Sequence, residues 1–241
     1  GMSFKNIDNL TIDGQGSTLV FHGLIQPLEF LRCKNITLKN FAIDWERPLF
    51  SIGEVLKNNS GRLVVKFFPE FPVEGGEPIW AFMDYDPKKK HLGRFSDWRL
   101  KDPMKKVRKQ VMEIKTDKKV PVGNYLVLRH VGNYRPGIHL LNCRNVTFKS
   151  ITIFHAPGMG VIGHWCHQVT FHQFKVRPKK NRIMSTNTDA THFISSTGLI
   201  TIDDCYFEGM GDDAINIHGF YFSVKKRIDN RTVLAYLDRK S

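Results

Sequence analysis

"VTFKSITI" (146–153) opens aliphatic-Thr-apolar and closes on an apolar residue, and the chain repeats that opening four more times. The other copies are "LTIDGQGS" (10–17), "ITLKNFAI" (36–43), "VTFHQFKV" (169–176) and "ITIDDCYF" (200–207). Alternation here has period two and β-branched residues dominate, so each copy reads as a strand and not a helix turn. The copies start 26, 110, 23 and 31 residues apart, so three of the four gaps fit one period of about 20–30 residues. Short β units at that period, joined by turns rich in Asn, Gly and Asp, describe a solenoid in which each unit buries its apolar face only against its neighbours. No Leu-x-x-Leu-x-Leu ladder is present. The expected fold is therefore all-β, a right-handed parallel β-helix.

The long gap marks an insertion over residues 47–133. It contains "LFSIGEVL", "RLVVKFF", "IWAFMDYD", "KQVMEIK" and "NYLVLRH", separated by Gly, Asn, Pro and Lys-rich turns. That pattern predicts an antiparallel meander closing into a small β-barrel or sandwich. The expected organisation is first coils over 1–46, the insertion, further coils over 134–219, and a second β insertion starting at 220–241, a hairpin pinched at Asp229-Asn230. Cys33, Cys143 and Cys166 each stand three residues ahead of a repeat core, in "CKNIT", "CRNVT" and "CHQVT". They should form a ladder of packed free thiols, since no CxxC or Cys/His metal spacing is present.

The net charge of +13 invites a nucleic-acid reading. Its distribution argues against one: the basic residues gather at 86–110, "RPKKNR" (177–182) and "KKRIDNR" (225–231), outside any zinc-finger, helix-turn-helix or RNA-recognition pattern. Basic loops on an enzyme account for them, with an acidic glycan as the alternative partner. Apolar runs fall well short of a membrane span, so no membrane partner is expected. Gly1-Met2 reads as a tag remnant and "AYLDRKS" (235–241) follows a strand-like run directly, so a piece of a longer protein is expected.

Chemistry concentrates in "STNTDATHF" (185–193) and "EGMGDDAINIHG" (208–219). Asp189 and Asp212 are 23 residues apart, about one coil, which would stack them on neighbouring strands. Adjacent residues of a strand point to opposite faces, so Asp213 joins them only where the backbone bends, and Gly209 and Gly211 permit a bend. Three carboxylates together suit calcium binding, glycoside hydrolysis or solvated turns. The coil spacing favours a function over solvated turns.

"NTD" (187–189) followed by "GDD" (211–213) resembles the signature of polygalacturonases. "RPKKNRIMSTNTDATHF", "FEGMGDDAINIHG" and "HAPGMGVIG" together are more similar to the α-1,3-galactosidases of glycoside hydrolase family 110. The resemblance covers most of the chain, most specifically 134–219. It implies removal of terminal α-1,3-linked galactose from a galactose-terminated glycan, with inversion, without a metal or other cofactor, and in the periplasm or outside the cell. It also implies that Asp212 is the general acid and that Asp189 and Asp213 activate the water. Ionised neighbours would keep Asp212 protonated.

Asn187 is a candidate to orient Asp189 or to bond within its turn. His164 and Trp165, in "IGHWCH", are candidates for a sugar wall or for packing, and His218 for a donor to a sugar hydroxyl or a turn histidine. His155 and His192 read as structural. The Arg-Ile-Lys triplet that grips a uronate in polygalacturonases is absent at the expected spacing. A uronan hydrolase and a catalytically silent carbohydrate-binding solenoid remain the alternatives. An exposed coil edge also invites a homodimer.

Overall fold

The structure is a computed structural model that describes residues 1–59, 61–92, 99–100, 102–132 and 135–237, and every described element is a strand or a turn. Strands alternate between two parallel sheets as the chain advances. The first sheet stacks Met2–Lys5, Leu28–Leu31, Ile138–Leu141, Val161–His164, Thr191–Ile194 and Ile215–His218 in that order. The second pairs Asp8–Phe21 with Lys34–Trp45, then Arg144–Ile153, then His167–His172, then Thr197–Asp203, with Lys175–Val176 and Tyr206–Phe207 extending the last coils. The five repeat cores fall in this second sheet in one register: Leu10, Ile36, Val146, Val169 and Ile200 stand on one another.

The inward residues of both sheets build one core. Phe30, Leu38, Phe148, Phe171 and Phe193 are buried in it, each contributing about 1.5–3 kcal/mol of burial. Phe148 and Phe171 occupy the same register position in successive coils and stack with ring centroids 4.7 Å apart. Cys33, Cys143 and Cys166 are buried and free, and their thiols donate to carbonyls of the preceding coil at Phe4, Phe30 and Leu140. Burial pushes the Cys143 thiol up to about 11 and the Cys166 thiol to about 12, so both pack as apolar groups.

Corners between the sheets are made at left-handed residues, again in columns. Asn35, Asn145 and Gln168 have φ of 53°, 53° and 62°, each one residue ahead of a repeat core. Asn142, Trp165 and Ser195 form a second such column at 53°, 52° and 49°. Asparagine tolerates this region, which explains the recurrent Asn before the core. A tryptophan gains nothing from it.

The segment between the coils forms one seven-stranded antiparallel sheet, running from Phe50–Asn59 to Tyr125–Arg129, with no pairing between its two ends among the described residues. The expected barrel or sandwich thus takes the form of a single sheet. One face encloses an apolar cluster around Val65, Phe82, Met112 and Leu128. The other packs Phe50, Ile52, Met83 and Val127 on Met184 of the coils. Phe222–Arg227 and Val233–Leu237 form an antiparallel hairpin, whose turn holds the Asp229 carboxylate on the Arg231 amide. No helix among the described residues is long and apolar enough to cross a membrane.

His155 joins the insertion to the coils. It is fully buried, its Nδ1 donates to the Ser185 carbonyl at 2.7 Å and its Nε2 accepts from the Leu49 amide at 3.2 Å. Trp45 and Phe50 meet the ring edge-on. Desolvation lowers its proton affinity, to a pKa of about 3. Between about 6.5 and 3 the unfolded chain binds a proton that the native ring refuses, so stability falls as pH falls through that window. At about 1.4 kcal/mol per pKa unit the loss is at most about 5 kcal/mol. Urea unfolding of the native protein and of His155→Gln from pH 7 to pH 4 should show a steeper loss for the native protein, and parallel curves would refute the assignment.

Candidate active site

Three turns lie on one another beside the first sheet, at 156–160, 185–190 and 209–214. The middle turn is held from both sides by backbone bonds. Asn187 and Gly160 donate to Ala156 and Asp189 respectively, and Gly211 and Ala190 donate and bond to Thr186 and Asp213. Gly211 approaches so closely that a Cβ there would lie 2.3 Å from the Asn187 carbonyl oxygen. Gly209, at φ +68°, supplies the bend before it. The two glycines therefore have different roles, one conformational and one of space.

The strand register sets how the acids meet. Thr191 pairs with Ile215, a step of 24, so Asp213 continues the register of Asp189 and Asp212 stands one residue before it. The 23-residue spacing had suggested Asp212 for that place. The step is set by the apolar alternation of the strand, which must keep Phe193 and Ile217 in register. Asp212 and Asp213 precede that strand, where the backbone is bent, and an oxygen of each of Asp189, Asp212 and Asp213 lies within 4.8 Å of the others. Among the described residues no other group of three or more histidine, cysteine or carboxylate side chains is close enough to share a cation.

Asp189 is buried, while Asp212 and Asp213 are exposed. The Asp212 carboxyl is held above the usual carboxylate range, first by partial desolvation and then by the charges of Asp189 and Asp213; Arg129 and His192 pull it down. Desolvation, not the neighbouring charges, leads, and exposure of the residue lets solvent moderate the charge effects. Asp213 accepts from Asn216 Nδ2 at 3.0 Å.

Behind Asp189 runs a chain of imidazoles. His192 Nδ1 lies 2.5 Å from Asp189 Oδ2, His192 Nε2 lies 3.0 Å from His218 Nε2, and His218 Nδ1 donates to the Gly219 carbonyl at 2.7 Å. Each of these three contacts needs one hydrogen. Both ring nitrogens of His218 have partners within the protein. His192, read from the sequence as structural, touches the central acid.

Arg129, at the end of the inserted strand Tyr125–Arg129, is buried and donates to the Asn187 carbonyl at 2.7 Å. Sequence reasoning missed it because a lone arginine closing a strand carries no motif. The Asn187 side chain is fully buried, and neither its Oδ1 nor its Nδ2 has a hydrogen-bond partner among the described residues, so it bonds neither its own turn nor Asp189. His164 is half-buried on the outer face of the first sheet, its ring edge-on to His139 at 5.5 Å. Burial and then the charges of His139, His192 and His218 lower its proton affinity. Trp165 is 51% exposed, with its indole 6.0 Å from the Phe220 ring; His218 stacks on Tyr221 at 5.4 Å. The aromatic groups border the acids through His218.

No family model matches the chain. Alpha-1,3-galactosidase B of Bacteroides thetaiotaomicron is 33% identical over 89% of this chain and 39% of that protein. Alpha-1,3-galactosidase B of Phocaeicola vulgatus is 33% identical over 98% of the chain and 42% of its own length. Alpha-1,3-galactosidase A of Shewanella woodyi is 32% identical over 93% and 41%. The chain is therefore a relative of glycoside hydrolases. More narrowly, it is homologous over nearly its whole length to the α-1,3-galactosidases, the family its motifs resemble, and it spans about two-fifths of the length of these relatives.

The contact of Gly211 with Asn187 can be tested by stability alone. Gly211→Ala should destabilise by about 1–3 kcal/mol, as overpacking does. Gly219→Ala, where nothing lies within 4 Å, should be near neutral. Equal denaturant midpoints for the two variants would refute the close approach.

Proposed function

We propose that this chain carries the catalytic coils of an exo-acting α-galactosidase, working in the periplasm or outside the cell, that removes terminal α-1,3-linked galactose from glycans with inversion. In this reading the coils wind as a right-handed parallel β-helix over 1–46 and 134–219, with insertions at 47–133 and from 220. The observation that carries the reading is the convergence of Asp189, Asp212 and Asp213 in a chain whose relatives are α-1,3-galactosidases.

Asp212, with its raised proton affinity, gives its proton to the glycosidic oxygen as the bond to the anomeric carbon breaks. Asp189 and Asp213 hold a water between them; its oxygen bonds the anomeric carbon from the opposite face and its proton passes to the pair. Acid and base of inverting enzymes usually stand about 6.5–9.5 Å apart. The three carboxylates stand closer than that here, so inversion in this site requires a shorter gap between acid and base. His192 positions Asp189, the Asn187 carbonyl holds its turn against Arg129, and Trp165 and His164 offer the galactose an apolar wall.

Proton NMR of galactose-α-1,3-galactose with the protein should show β-galactose first. Asp212→Asn should cut the rate about 10²–10⁴-fold, the usual size of general acid catalysis, and a chelator should leave it unchanged. Early α-galactose would assign retention instead, and full activity in Asp212→Asn would remove the acid from its role.

The alkaline limb of the rate profile should follow Asp212, which must be protonated to act. Because Arg129 lowers the Asp212 proton affinity, Arg129→Gln should move that limb to higher pH. A shift to lower pH, or none, in a folded variant would refute the coupling.

A further inference from the structure

The basic run 177–182 has no part in the chemistry above, yet it lines a cleft onto which the site opens. That cleft, about 690 Å³, lies between the insertion and the coils, and its wall includes Lys90, Arg177, Lys179, Lys180, Arg182 and, of the three acids, Asp212 alone. Glu208 is the other carboxylate on the wall. Positive charge therefore prevails there.

The cations are not equivalent. Lys179 and Arg182 share the buried Asp44 carboxylate at 3.0 and 2.5 Å, so one of their two charges is answered from behind. Arg177 lies with its guanidinium 5.3 Å from the Phe154 ring centre, which orients it without neutralising it. Lys90 and Lys180 are exposed and have no ion pair among the described residues. Lys90 comes from the insertion and Lys180 from the coils, so the two units together place unanswered charge around one space. Like charges so gathered repel unless an anion joins them.

Which part of a substrate enters the cleft follows from the acid that opens onto it, and this step rests on the function proposed above. The general acid faces the leaving-group oxygen, whereas Asp189 and Asp213, which hold the water, and the imidazoles behind Asp189 do not line the cleft. The sugar beyond the scissile bond lies in the cleft and the galactose to be removed lies outside it. We propose that the leaving-group sugar carries an anion, a sulfate ester or a uronate carboxylate, bound by Lys90, Arg177 and Lys180. The anion belongs to the retained part of the glycan, which is consistent with the missing carboxylate-gripping triplet for the sugar that is cleaved.

The test is calorimetric titration of Asp212→Asn with three disaccharides: galactose-α-1,3-galactose, the same sugar sulfated on its reducing galactose, and galactose-α-1,3-galacturonic acid. At least one anionic ligand should bind tenfold or more tighter than the neutral one near 0.1 M salt, and the gap should shrink towards 1 M as screening lengths fall from about 10 to 3 Å. Adding Lys90→Ala and Lys180→Ala should close the gap. Which anionic ligand leads identifies sulfate or carboxylate as the source. Equal binding of all three, a gap that persists in the lysine variants, or no binding of any would overturn the proposal. Hydrolysis of the neutral disaccharide by the native protein decides the galactosidase reading separately, so either can fail alone.

Discussion

The Asn187 carbonyl is the point on which the site depends. Gly211 of the next coil closes on it with no room for a side chain, and Arg129 of the insertion donates to it from a buried position. One oxygen thus sets the height of the turn that carries Asp189 above the turn that carries Asp212 and Asp213. Those turns are irregular, so their contacts with each other and with Arg129, His192 and Asn216 hold the three carboxylates together against repulsion. The parallel sheets beneath supply a rigid step from coil to coil, and the glycine lets the turns keep that step.

Proton placement follows from this packing. Asp212 is the acid whose surroundings favour the protonated form. Asp213 has an amide donor, and Asp189 has an imidazole backed by a second imidazole and a carbonyl. Three like residues within 4.8 Å therefore have three different neighbourhoods, which is the condition for acid and base to coexist in one site. The insertion does more than decorate the coils. It supplies Arg129 beside the site and Lys90 to the cleft, and His155 ties its first residues to the Ser185 turn.

Much of the fold was legible in the chain because a stacked strand repeats its chemistry. The aliphatic-Thr-apolar cores, the thiols three residues ahead of three of them and the Asn or Gln at left-handed corners are each one column of the structure read lengthwise. The acids were legible too, since "NTD" and "GDD" stand about one coil apart. Their stacking was read one residue out: the spacing of Asp189 and Asp212 is 23, whereas the strand pairing advances by 24. Spacing between identical residues is a guess at register, while burial of alternate side chains decides it.

The sequence by itself determined the strand units, their inward faces and the three aspartates, because period-two alternation and short motifs are local properties. Only the tertiary structure decided which residues those aspartates meet. Arg129 lies 58 residues before Asn187, and Lys90 shares a cleft with the run 177–182. His192, an ordinary polar residue of "ATHF" in the sequence, gains its place by contact with Asp189 and His218. Such meetings depend on how the inserted sheet docks on Met184 and on the step between coils, and neither is written in any local pattern. The charge of a carboxylate is encoded in its residue type, but its proton affinity is a property of what the fold packs around it.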